Sequence, residues 1–208
     1  MFVKYWMKSN PVTISADTLV IDAKKLMKNN KIRRLPVMQG EKLVGIVTLA
    51  DLREAQPSQA TSLSIHELNY LLAKMTISEI MTREVITCPP DMTMEKAAVR
   101  GTKYGIGALP VVENGKLIGI ITESDIYRAF LQMLGATHRD STRITLENFS
   151  KNQDELIKII EILDDLNGIL VSMALVDDVP IEGKRELVFR VKDVDVEVLI
   201  ERLKGNGY

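Results

Sequence analysis

The sequence is poor in the residues that build covalent or metal-dependent chemistry. Cys88 is its only cysteine, so no disulfide can close within the chain, as suits a reducing compartment. His66 and His138 are its only histidines; they lie far apart, with no cysteine or acidic partner at a metal-ligand spacing. No Gly-x-Ser-x-Gly elbow, P-loop or complete Gly-x-Gly-x-x-Gly occurs, since Gly105-Ile106-Gly107 lacks the third glycine and precedes a strand pattern. An excess of one charge sign is lacking too: 27 basic and 28 acidic residues leave a net charge of −1, with no broad attraction to nucleic acid or anionic membrane. No apolar run reaches the ~18 residues of a membrane span. The opening residues Met1 to Lys8 lack the apolar core and small-residue cleavage site of a secretory signal. These absences lead to the expectation of a soluble, cytoplasmic, non-enzymatic protein with no catalytic residues, no metal, and no nucleic-acid or membrane partner.

The content that is present is ordinary for folded domains, with 46% hydrophobic and 26% charged residues over 208 positions. Its organising feature is an internal repeat. Aligned without gaps at Met7 and Met81, residues 7–54 show 14 identities to the residues 74 positions further on. The matches include Thr13 with Thr87, Ala23 with Ala97, Leu35-Pro36-Val37 with Leu109-Pro110-Val111, and Lys42-Leu43 with Lys116-Leu117. Each copy reads as β-α-β-β-α. In the first, Pro11 to Ile14 is extended, and Ser15 to Thr18 is a turn able to cap a helix. Leu19, Val20, Ala23, Leu26 and Met27 then form a helical stripe. Leu35 to Met38 and Leu43 to Thr48 are strands around a turn whose counterpart contains Asn114-Gly115, a strong hairpin signal. Domain boundaries follow at 1–56 and 77–134, with a linker over 57–76. Within the linker, Ile65, Leu68, Leu71 and Leu72 place an amphipathic helix over 64–74, packed on the repeats or held for a partner. Met27, Met81 and Met94 read as core fillers.

Gly-x-x-Thr-x-x-Asp occurs twice, as Gly45, Thr48, Asp51 and as Gly119, Thr122, Asp125, where a strand runs into a helix. The glycine admits close approach to the backbone, the hydroxyl can donate to a phosphate, and the carboxylate can accept both hydroxyls of a ribose. The same threonines and aspartates can equally cap helices. Arg33 and Arg34 stand just before a buried strand, where they can fork onto phosphate oxygens or simply face solvent. Their counterparts are Gly107 and Ala108, so any anion pocket is expected to be asymmetric.

The tandem pattern resembles paired cystathionine-β-synthase (CBS) domains, the Bateman module, over about residues 3–130. The resemblance implies two CBS repeats packed by pseudo-twofold symmetry, with AMP, ADP, ATP, S-adenosylmethionine or a related adenosine ligand bound in clefts between them. It assigns ribose recognition to Asp51 and Asp125, with Thr48 and Thr122 beside the phosphates. Backbone groups near Thr13-Ile14 and Thr87-Cys88 would face adenine, and Pro36 and Pro110 belong to the strands bordering the clefts. The Arg33-to-Val37 run is similar to a basic stretch in the γ subunit of AMP-activated protein kinase. Carried over, Arg33 and Arg34 would serve the ligand held by Asp125, while the ligand of Asp51 would face Gly107 and Ala108 without cations.

The last third reads as β-α-β-β-α again, over 143–208. A strand at Arg143 to Leu146 precedes a helix at Asp154 to Leu166, ended by Asn167-Gly168. Strands at Ile169–Val176 and Glu186–Val191 and a helix at Val194–Leu203 follow. This resembles a ferredoxin-like ACT domain without an evident last strand. Glu147 to Gln153 lacks the glycine of that family's ligand turn, which favours a structural or dimerising role. The order is similar to bacterial acetoin-utilisation regulatory proteins. The overall expectation is an α+β homodimeric ligand sensor that relays binding to a protein partner or to the ACT-like domain. The alternative is a dimerisation scaffold with no physiological ligand.

Overall fold

The computed structural model describes residues 1–55, 74–150, 152, 154–177 and 184–208, which form two compact units, Met1–Ile126 and Tyr127–Tyr208. The helix expected over 64–74 lies outside the described residues except for Lys74, and His66 lies outside them altogether. No helix among the described residues is long and apolar enough to cross a membrane.

The first unit contains β1 (Lys8–Ser9), β2 (Ile14–Ser15), α1 (Val20–Asn30), β3 (Arg34–Gln39), β4 (Lys42–Thr48) and α2 (Leu49–Glu54). The second copy supplies α3 (Ile77–Ile80), α4 (Met94–Tyr104), β5 (Ala108–Glu113), β6 (Lys116–Thr122) and the start of α5 (Glu123–Met133). Helix α1 buries Val20, Ala23 and Met27 on one stripe, as the periodicity requires. Its partner layer is Leu35, Val37 and Val47 of the β3–β4 hairpin. The equivalent residues Met94, Ala97, Leu109, Val111 and Ile121 are buried in the second copy. Both hairpins carry a bulge at the same place, between Val37 and Met38 and between Val111 and Val112. Asn114 and Gly115 both adopt positive φ, 50° and 79°, as the expected tight turn demands.

The two copies exchange the segments that lead into them. β1 precedes the first copy yet pairs with β6 of the second, Lys8 opposite Ile120, while Thr82 pairs with Ile46 of β4. The exchange repeats bond for bond under the 74-residue shift. Val3 N–H donates to Met92 O and Ile77 N–H to Thr18 O, each at 2.9 Å. Met94 N–H donates to Met1 O (3.0 Å) and Val20 N–H to Met75 O (2.9 Å). These last bonds revise the expected capping of α1. Its N-cap is Leu19, which makes no side-chain bond, and the borrowed Met75 carbonyl takes the first N–H in place of the Ser15–Thr18 turn. Each copy is therefore completed by the other, so neither buries its core alone.

The second unit contains β7 (Thr142–Ser150), α6 (Asp154–Asp165), β8 (Ile169–Val176), β9 (Lys184–Lys192) and α7 (Val196–Gly205). β9 lies between β7 and β8 and runs antiparallel to both. Ile144, Leu146, Leu187, Phe189 and Val191 of the sheet pack on Ile159, Ile162 and Leu163 of α6 and on Leu199 and Leu203 of α7. The first strand runs past its expected end at Leu146 because a bulge, with Asn148 at φ 56°, lets Phe149 rejoin the ladder and the core. Asp195 caps α7, its Oδ1 accepting from Glu197 N–H (3.0 Å) and Val198 N–H (3.2 Å). Tyr208 is anchored: its ring stacks on Phe149 and its hydroxyl donates to Glu155 Oε2 at 2.6 Å.

Candidate functional site

Each Gly-x-x-Thr-x-x-Asp occupies the joint between the second hairpin strand and the next helix. Thr48 Oγ1 accepts from Asp51 N–H (3.3 Å) and Asp51 Oδ2 accepts from Thr48 N–H (2.7 Å), a reciprocal capping box. In the second copy Asp125 Oδ2 accepts from Thr122 N–H (3.0 Å) and from the Thr122 hydroxyl (2.6 Å). The capping role open on sequence is thus present in both copies. It uses one carboxylate oxygen; among the described residues Asp51 Oδ1 accepts no hydrogen bond.

The motif's glycines, expected to admit a ligand, admit protein instead. A Cβ on Gly45 would collide with the Met81 thioether and lie 3.2 Å from Thr82 O. One on Gly119 would strike the Met7 thioether and lie 3.2 Å from Lys8 O. Met7 and Met81 are the crossing points of the exchanged segments, which explains why methionine and glycine are identities of the repeat.

Asp51 and Thr48 open onto a cleft of about 200 Å³ between the copies. Its far wall is Thr82, Glu84, Val85 and Ile86, the segment leading into the second copy, together with Gly105 to Ala108. Arg34 also lines it, which corrects the expectation that this cleft lacks a cation. Arg34 is the cross-strand partner of Thr48, so its side chain leaves the sheet on the same side as the threonine. The absence of a side chain at Gly107 gives it room: a Cβ there would collide with the Arg34 guanidinium and lie 2.8 Å from Glu123 Oε2. A second recess of about 460 Å³ adjoins the cleft through the shared Arg34 and Thr48. It is lined by Arg33, Arg34, Leu49, Ala50, Thr48 and Arg53. The two arginines foreseen beside phosphate therefore lie on the Asp51 side.

The other candidates divide differently. Thr87 and Cys88 do not line the Asp51 cleft; their neighbours Val85 and Ile86 do. Thr87 O is taken by the Arg100 guanidinium at 2.6 Å. Cys88 N–H donates to Pro110 O and Cys88 O accepts from Val112 N–H, both at 3.0 Å, so its backbone is spent in the sheet. Its side chain is buried where the first copy has Ile14, and burial pushes the thiol pKa up to about 11. Ile14 is likewise buried and pairs with Val37, while Thr13 is exposed. Pro36 and Pro110 are interior residues of β3 and β5 and do not line the Asp51 cleft. Sequence reasoning missed Arg53, Glu84, Val85, Ile86 and Glu123. The only available signal was positional: Val85 and Ile86 stand 74 residues beyond Pro11 and Val12, in the extended piece of each copy.

Among the described residues no cluster of histidine, cysteine and carboxylate groups could hold a metal ion. The CBS domain family model matches residues 3–58 and 77–132, more than half of the chain. A CBS domain pair of protein MJ0100, solved with 5′-methylthioadenosine and S-adenosyl-L-methionine, is 32% identical. It covers 62% of this chain and 95% of its own, with a TM-score of 0.52. A putative acetoin utilization protein (AcuB) from Vibrio cholerae is 32% identical over 65% of this chain and 93% of its own, TM-score 0.55. CBSX2, solved with AMP, is 30% identical over 63% of this chain and 96% of its own, TM-score 0.53. Among curated relatives, the L-aspartate semialdehyde sulfurtransferase of Methanocaldococcus jannaschii is 33% identical over 130 residues, 62% of this chain. The chain spans only 23% of that enzyme and 21% of an inosine-5′-monophosphate dehydrogenase of Korarchaeum cryptofilum.

Proposed function

The chain belongs to the CBS domain family, and on that footing we propose that it is a non-enzymatic regulatory protein binding an adenosine ligand between its two repeats. The candidates are AMP, ADP, ATP and S-adenosylmethionine. The observation that carries the reading is the Asp51 cleft, where a carboxylate with one uncommitted oxygen faces the apolar pair Val85 and Ile86 across the repeat boundary. The carboxylate would take the ribose hydroxyls and the apolar pair a face of the base. Relatives solved with S-adenosylmethionine, 5′-methylthioadenosine or AMP support the ligand class. By the 74-residue register a second site would form around Asp125 and Thr122, with Pro11 and Val12 replacing Val85 and Ile86.

The cleft of about 200 Å³ is walled by residues of both copies. A ligand that prefers one relative arrangement of the copies would therefore shift the population toward it. That change would pass to a protein partner or to the ACT-like unit, which we assign a dimerising role in a homodimer. The capping bonds of Asp51 and Asp125 favour one alternative, a scaffold whose carboxylates only hold helices. Isothermal calorimetry of the four ligands against wild type, Asp51→Ala and Asp125→Ala separates the readings. Binding that disappears with an aspartate supports the sensor; no binding by wild type leaves the scaffold.

A further inference from the structure

The ribose-and-base reading does not use the arginine recess next to Thr48. Arg33, Arg34 and Arg53 all line it, and no carboxylate does among the described residues. None of the three guanidinium groups makes a hydrogen bond or ion pair to a described residue. Glu123 Oε2 lies 2.8 Å from where a Gly107 Cβ would stand, beside the Arg34 guanidinium, and offsets part of that charge; Arg33 and Arg53 keep the recess basic, and an anion of several charges relieves their repulsion. Guanidinium forks match phosphate oxygens in geometry as well as charge.

Two shared residues make the recess continuous with the nucleoside cleft. Arg34 and Thr48 line both, so a phosphate chain leaving a ribose held by Asp51 passes Thr48 and enters among the arginines. The second copy does not carry these charges at the equivalent positions: at the places of Arg33, Arg34 and Arg53 stand Gly107, Ala108 and Tyr127, and Glu123 replaces Leu49.

Resting on the adenosine-ligand reading, we propose that the Asp51 cleft and the arginine recess form one composite site for an adenosine polyphosphate, with Arg53 selecting the phosphates beyond the first. Arg33 and Arg34 thus serve the ligand of Asp51, and the Asp125 side prefers adenosine ligands without a phosphate chain. Arg53 is exposed and two residues past Asp51 in the same helix, so its removal takes away charge without disturbing a core.

The test is calorimetric titration of the full chain with ATP, ADP, AMP and S-adenosylmethionine, repeated on Arg53→Ala, Arg53→Tyr and Asp51→Asn. Arg53→Ala and Arg53→Tyr weaken ATP about tenfold, the loss of one charge-assisted contact, and change AMP less than about twofold. Asp51→Asn, which keeps a capping side chain, weakens ATP by a comparable or larger factor. Equal loss of ATP and AMP in the Arg53 variants, or no loss of either, overturns the proposal while leaving an adenosine sensor standing. ATP affinity unchanged in Asp51→Asn does the same. Failure of wild type to bind any of the four removes the sensor reading itself.

Discussion

Gly45→Ala tests whether the two copies are locked together by their exchanged segments. The added methyl has no free volume: it would meet the Met81 thioether and sit 3.2 Å from Thr82 O, which Ile46 N–H holds in a 3.0 Å bridge. The thioether can swing aside only into a packed core, since Met81 is 9% exposed, and the carbonyl can move only by breaking the pairing to β4. Overpacking of this kind costs about 1–3 kcal/mol. For a unit of this size that lowers Tm by roughly 3–10 °C. Gly119→Ala, which meets Met7 and Lys8 O in the same way, costs a similar amount. Gly205→Ala is the control: nothing lies within 4 Å of its Cβ, and no loss is expected. The assay is differential scanning calorimetry of the full chain, with the transition of residues 1–126 followed separately from that of 127–208. Melting of Gly45→Ala and Gly119→Ala within a degree of wild type refutes the interlock.

Further outcomes follow from local strain and burial. Lys31 ends α1 in the left-handed region, at φ 54° and ψ 37°, where the second copy uses Gly105 at φ 63° and ψ 30°. Lys31→Gly is expected to stabilise the fold by about 1 kcal/mol, seen as a Tm raised by a few degrees; a lowered Tm contradicts it. Cys88, its thiol pKa pushed up to about 11 by burial from an ordinary value near 9, stays protonated in the native state. Its burial adds stability that is fully present below about pH 9 and is lost as pH rises through about 11. At pH 8 an aromatic disulfide reagent should label it only after urea unfolding, and stoichiometric labelling of native protein would contradict the packing.

Where the legibility of this chain stopped can be read from particular residues. Arg33 and Arg34 were legible as candidate phosphate ligands, but not which cleft they line. That depends on Arg34 standing opposite Thr48 in the hairpin register, and on the room left by Gly107 across the boundary. Arg53 carried no signal, since nothing in its neighbours announces that it shares a recess with Arg33. The resemblance set backbone groups near Cys88 against adenine, whereas the Cys88 N–H and carbonyl are bonded to Pro110 and Val112 in the sheet.

By itself the sequence determined the repeat, and with it the β-α-β-β-α order, the helical stripe of Val20, Ala23 and Met27, the Asn114-Gly115 turn and the Thr48 and Thr122 helix starts. These follow from periodicity, turn chemistry and capping, which act over a few residues and so are written locally. The tertiary structure alone decided that Met1–Ser9 completes the second copy and Met75–Thr82 the first. It also decided that Gly45 and Gly119 make room for methionine rather than ligand, and that three arginines meet beside Asp51. Those choices depend on which surfaces meet when two incomplete cores close on each other, a long-range packing problem that no local pattern encodes.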